Sequence, residues 1–137
     1  MPTASTSNVA AREDIQRACN AILDAFMQAL NDHDAAAMDR CMHFPHTRLA
    51  NGTTTIYEAP GSNPMDLFKR LEEADGWSYS RWESREVVQC NARKAHVLLS
   101  YTRFRKDHSV IGVYDSMYVM TLEAGGWGIQ ARSSFGP

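Results

Sequence analysis

Three short turns govern what the second half of this chain can become. Asn91 to Lys94, Lys106 to Ser109 and Glu123 to Gly126 carry turn chemistry, and each separates two long runs rich in β-branched and aromatic residues. Connections that short place successive strands side by side and antiparallel. Tyr79 to Cys90, Ala95 to Arg105, Val110 to Leu122 and Trp127 to Phe135 are therefore read as a four-stranded meander.

The first half has a different period. Val9, Ile15, Ala18, Cys19, Ile22, Leu23, Phe26, Met27 and Leu30 recur at steps of three and four, which predicts a long amphipathic helix ending between Asn31 and His33. Asp34 is placed to cap a short second helix from Ala35 to Cys41, and Pro45 forbids its continuation. His46 to Ala50 and Thr53 to Tyr57 flank Asn51 and Gly52, the strongest local signal for a hairpin. A third helix is expected from Pro64 to Glu73, after the break at Pro60 to Asn63. Three helices segregated from most of a curved antiparallel sheet make the class α+β. Residues 1–7 are expected to be frayed and 8–136 to form one domain.

The 137 residues suffice for one core without disulfide or metal staples. Cys19, Cys41 and Cys90 are odd in number and far apart, so reduced, mostly buried thiols are expected. The net charge is −2, and the densest basic run, Arg103, Phe104, Arg105 and Lys106, is interrupted at once by Asp107, which leaves no electrostatic footprint for nucleic acid. The opening residues lack the basic and apolar stretches of a secretion signal, and no apolar run approaches bilayer-spanning length. The expectation is a cytoplasmic protein with no membrane partner.

The element order, the run from His43 to Gly52 (His-Phe-Pro-His-Thr-Arg-Leu-Ala-Asn-Gly) and the closing Gly-Gly-Trp-Gly-Ile-Gln-Ala-Arg-Ser-Ser-Phe of residues 125–135 resemble the nuclear transport factor two-like superfamily. Within it, the chain is similar to small SnoaL-like bacterial proteins, the polyketide cyclase and ketosteroid isomerase-like group. The resemblance covers roughly residues 8–136 and implies a cone-shaped, cystatin-like fold whose helices and curved sheet enclose a pocket. Relatives include isomerases, dehydratases, cyclases, epoxide hydrolases and non-enzymatic transport or assembly modules, so the fold leaves function open. The isomerase pattern implies a carboxylate base on a pocket strand, with a tyrosine and an acid holding an oxyanion. Asp115 is the closest carry-over of that base, and no second carboxylate aligns beside it. The resemblance also implies that Trp127 and Ile129 face the helices, with Gln130, Arg132 and Ser134 on the opposite side, a surface through which relatives dimerise.

The residues themselves suggest particular roles. Asp115 lies in an apolar strand, where burial would raise its pKa and fit it for proton transfer; the alternative pairs it with Arg103 or Arg132. His46 stands where the second helix passes into the hairpin and is a second candidate for proton transfer, whereas His43 and His46 lack a metal-site pattern. Arg48 shares a strand face with His46 and would favour an anionic substrate group if buried. Tyr101 or Tyr118 would join Arg48 in holding an oxyanion, and Tyr57, Trp77, Trp82 and Arg103 complete the expected substrate-binding set. No phosphate loop, nucleophile elbow or catalytic triad spacing appears, and no cofactor or metal is expected.

Two readings stand. One is a pocket protein for a hydrophobic, oxygen-bearing small molecule, as a cofactor-independent isomerase, dehydratase or cyclase using acid–base chemistry. The other is a non-enzymatic ligand-binding or assembly module. In either, the outer sheet, with Val87, Val97, Leu99 and Val119 available on one side or the other, is expected to pair two copies.

Overall fold

The computed structural model describes residues 6–137, with side chains from residue 11 onward. Most of the segment read as frayed, residues 1–5, lies outside the described residues. The elements are α1 Thr6–Asn31, α2 Ala35–Arg40, β1 Met42–Ala50, β2 Thr53–Tyr57, α3 Leu67–Asp75, β3 Trp77–Cys90, β4 Lys94–Arg105, β5 Val110–Glu123 and β6 Gly126–Ser134.

Local chemistry accounts for most boundaries. The Asp34 carboxylate accepts from the Ala37 amide at 3.0 Å and starts α2. Asn51 adopts the left-handed conformation, φ 52, that the hairpin between β1 and β2 requires. The third helix begins later than expected: Pro64 caps a turn in which its carbonyl accepts from the Leu67 amide at 3.1 Å, and helical geometry starts at Leu67. It follows the hairpin, so only two of the three helices precede the sheet. Gly76, at φ 76, closes α3 with a left-handed cap.

The six strands form one sheet in the order β2-β1-β6-β5-β4-β3. Four of the five pairings are antiparallel, but β1 and β6 run parallel, with Arg48 opposite Arg132 and Ala50 opposite Ser134. The expected all-antiparallel sheet fails at this junction because β1 and β6 are distant in sequence, so no tight turn dictates their direction. Between β5 and β6 the register slips: Val119 pairs with Ala131 but Met120 with Ile129, leaving Gln130 as an extra residue. A bulge of this kind reverses side-chain parity, so that Ile129 and Arg132, an odd number of residues apart, both face the helices. Arg132 and Ser134, expected on the outer face, consequently point inward.

α1 lies across the concave face of the sheet. Its Cys19, Leu23, Phe26 and Met27 pack with Met38, Val87, Val97, Leu99, Met120 and Ile129 in a single core. Polar groups of α1 also cover the free edge of β3: Gln16 accepts from the Val87 amide at 2.7 Å, Arg12 donates to the Val87 carbonyl at 2.7 Å, and Asn31 exchanges two 2.8 Å bonds with the Ser80 backbone. A helix thus closes an edge that would otherwise be open to strand addition. Cys19 and Cys41 are buried free thiols, while Cys90 is half-buried. Among the described residues, no helix is long and apolar enough to cross a membrane.

Val87, Val97 and Leu99 belong to the core and not to the outer surface. Val119, between buried Tyr118 and Met120, is not part of that core, and the outward apolar residues include Leu98, Met117 and Leu49, which follow one another through Ser133 in direct register across β4, β5, β6 and β1.

Leu23 has no exposure and lies where α1 meets the sheet. Leu23→Ala is expected to lower unfolding free energy by about 3 kcal/mol in urea denaturation. A loss below about 1 kcal/mol would show that α1 packing contributes little to the cone.

Candidate functional site

The helices and the concave sheet surround a cavity of about 90 Å³ that opens to solvent. Phe26, Met27 and Leu30 of α1, Met38 of α2 and Leu67 and Leu71 of α3 form the apolar side. The sheet supplies the aromatic and polar side.

The structure places Arg48, Tyr57, Trp77, Trp82, Tyr101, Arg103 and Tyr118 on this wall. Trp82 is anchored by its indole N–H, which donates to the Leu23 carbonyl at 2.9 Å, and it meets the rings of Tyr101 and Tyr118 edge-on at 6.0 and 5.9 Å. Trp77 donates to the Ser80 hydroxyl at 2.8 Å. These bonds satisfy the polar ends of both indoles within the protein, and the Trp77 ring is also stacked on His33 at 5.3 Å. Burial pushes the Tyr118 phenol up to about 12, so it stays protonated as a donor.

Arg103 lies over the rings of Tyr114 and Tyr101, at 5.0 and 5.7 Å, and donates to the Pro137 backbone carbonyl at 2.8 Å. Beyond it, the mouth widens past Arg70, Asp75, Ile111 and Pro137.

The polar residues that line the cavity without having been placed there by sequence reasoning include Arg132 and Ser134. Both are brought in by the bulge at Gln130. The available signal was Gly128, since a glycine inside a strand often marks a bulge or close approach. A β-carbon at Gly128 would come within 2.6 Å of the His43 ring. Ser134 in turn joins a hydroxyl cluster, taking a 2.7 Å bond from Ser116 and lying 2.9 Å from the Tyr101 hydroxyl.

His46 is not on the wall. It is fully buried behind it, with its ring stacked on Tyr57 at 5.8 Å. Arg132 Nε donates to His46 Nε2 at 2.9 Å, which makes Nε2 the bare nitrogen and assigns the proton to Nδ1, the donor to the Ile129 carbonyl at 2.9 Å. Burial and then the Arg132 charge push the His46 pKa down to about 4. Both ring nitrogens are occupied, so His46 positions Arg132 and has no free site for exchanging protons with the cavity.

Asp115 is also displaced from its expected role. It is exposed on the outer face, between inward-facing Tyr114 and Ser116, and pairs across the strand with Ser100 and not with Arg103 or Arg132. The burial expected of it is absent because strand parity sends it to solvent. The wall of the cavity contains no Asp, Glu or His; Asp75 lines only the outer mouth. The arrangement supplies donors and positive charge to whatever enters, and no carboxylate base.

A family model described as NTF2-like protein (DUF6841) matches residues 12–134. No curated protein sequence matches the chain. Among solved structures, an NTF2-like protein with a cystatin-like fold from Novosphingobium aromaticivorans is 16% identical at TM-score 0.70, covering 97% of this chain and 90% of its own. A protein of unknown function with a cystatin-like fold from Nostoc punctiforme is 10% identical at TM-score 0.70, covering 85% and 86%. A ketosteroid isomerase-like protein from Erwinia carotovora atroseptica is 19% identical at TM-score 0.61, covering 89% and 97%. At these identities the likeness establishes the fold.

The depressed His46 pKa gives a signed pH dependence. Unfolded, the imidazole titrates near 6.5; folded, it resists protonation until about 4. Its contribution is therefore full above pH 6.5 and is lost as pH falls between those values, by roughly 3 kcal/mol in all. Denaturation midpoints measured across that interval should fall less steeply in His46→Gln than in the parent. Parallel curves would mean that His46 is not held neutral.

Proposed function

The chain belongs to the NTF2-like family DUF6841, and from that premise we propose that its cone is a receptor for a small organic molecule with an apolar, partly aromatic body and oxygen acceptors. The observation that carries this reading is the make-up of the wall: Trp77, Trp82 and Leu30 supply apolar surface, while Tyr118, Arg48 and Arg132 supply donors. Binding needs nothing more.

The isomerase-like alternative draws support from the fold it shares with the Erwinia carotovora atroseptica protein. It needs a group that takes a proton near neutrality from within the cavity. Asp115 is outside, His46 is sealed, and Tyr118 is pushed up to about 12. Receptor function is therefore favoured over acid–base turnover.

The outer face suits a second copy of the chain. Leu98, Met117 and Leu49 form a lateral apolar row, and matching rows on two sheets would cover one another. Met117→Arg should then move the sedimentation coefficient from that of a dimer to that of a monomer. A parent protein that already sediments as a monomer would remove this part of the reading.

Calorimetric titration with 2-naphthol, a neutral aromatic alcohol, tests the receptor. Saturable binding at one site per chain is expected, weakened about fivefold in Tyr118→Phe and unchanged within about twofold in Asp115→Asn. Isomerase activity on a ketosteroid that disappears in Asp115→Asn would contradict the reading.

A further inference from the structure

Arg48 and Arg132 are direct cross-strand partners on β1 and β6, and both line the cavity. Like charges directly opposite on neighbouring strands destabilise a sheet. No carboxylate offsets this pair: among the described residues, neither arginine takes part in an ion pair, and the cavity wall contains no acidic residue. The Arg48 side chain has no hydrogen-bond partner among the described residues, and the Arg132 Nε–H is spent on the neutral His46 ring. Its guanidinium is fixed on its other side by the face of Phe26, 5.3 Å from Cζ. Burial, with the Arg48 charge adding to it, works against the Arg132 charge.

The protein thus builds a costly arrangement with care. His46 orients one guanidinium through a nitrogen that cannot neutralise it, Arg48 stands beside it uncommitted, and Tyr118, the cross-strand neighbour of Arg132 on β5, keeps its hydroxyl proton. Arg103 adds a third positive charge nearer the mouth. A planar fork of N–H donors matches carboxylate and phosphate oxygens, and it binds them most strongly where water is excluded.

We propose that the molecule held in the cone carries an oxyanion, a carboxylate or a phosphate monoester on an apolar body, seated between Arg48 and Arg132 with the Tyr118 hydroxyl as an additional donor. This deepens the receptor reading and rests on it. The anion supplies the missing counter-charge, and the apolar body lies against Trp82 and the α1 side chains. His46 is a positioning residue: it sets the angle of the Arg132 guanidinium without touching the ligand.

Calorimetric titration of the full chain with 2-naphthoate, 2-naphthyl phosphate and neutral 2-naphthamide tests the proposal. At least one anion should bind about tenfold or more tightly than the amide, and the order of the two anions decides between carboxylate and phosphate. Arg48→Met should weaken anion binding more than amide binding and so reduce that preference to about twofold, and Arg48→Lys should recover part of it. The melting temperature of ligand-free Arg48→Met should equal or exceed that of the parent, since the substitution removes a repulsive neighbour; a clear fall would assign Arg48 a structural role and overturn the proposal. Equal affinities of the parent for naphthoate, naphthyl phosphate and naphthamide would overturn the oxyanion and leave the receptor standing. Binding of none of the three, nor of 2-naphthol, would overturn both.

Discussion

One extra residue in the last strand determines the character of the cavity. Without the bulge at Gln130, strict alternation after Ile129 would send Arg132 and Ser134 to the outer surface and leave a more nearly apolar cone. With it, Arg132 turns inward beside Arg48, and the Ile129 carbonyl and Arg132 Nε together grip the two nitrogens of His46. The bulge is itself held: Gln130 donates to the Pro45 carbonyl and accepts from the Thr121 hydroxyl at 3.0 Å. Irregularities in the backbones of β1 and β6 thus lock one another.

That arrangement works against stability as much as for it. Two guanidinium groups converge, and a buried imidazole must stay neutral. The remainder of the molecule offsets the cost with a continuous core under α1 and with side-chain bonds from α1 to the exposed edge of β3. A rigid helix and sheet hold the polar groups in place, so a ligand would meet donors already oriented for it.

Much of this was legible in the sequence, for identifiable reasons. The long helix announced itself by its 3.6-residue period, the hairpin by Asn51 and Gly52, and the meander by its three turns, all local signals. Strand parity also put Arg48 on the same face of β1 as His46, and both point inward. Parity failed where pairing is non-local. The parallel contact of β1 with β6 and the bulge at Gln130 arise from strands brought together by the whole fold, so Arg132 was assigned to the wrong face. Asp115 was misread because apolar residues occupy both faces of β5, and that pattern does not distinguish inside from outside. His46 faces inward as its strand position implies, but its burial behind Arg132 depends on the parallel pairing and could not be read locally.

The most direct measurement is a crystal structure of the protein with 2-naphthoate. The carboxylate is expected between Arg48 and Arg132, within hydrogen-bond distance of both guanidinium groups, with the naphthyl ring against Trp82 and His46 still accepting from Arg132. A naphthoate bound with its ring among the arginines and its carboxylate in solvent, or bound only on the outer sheet, would contradict it.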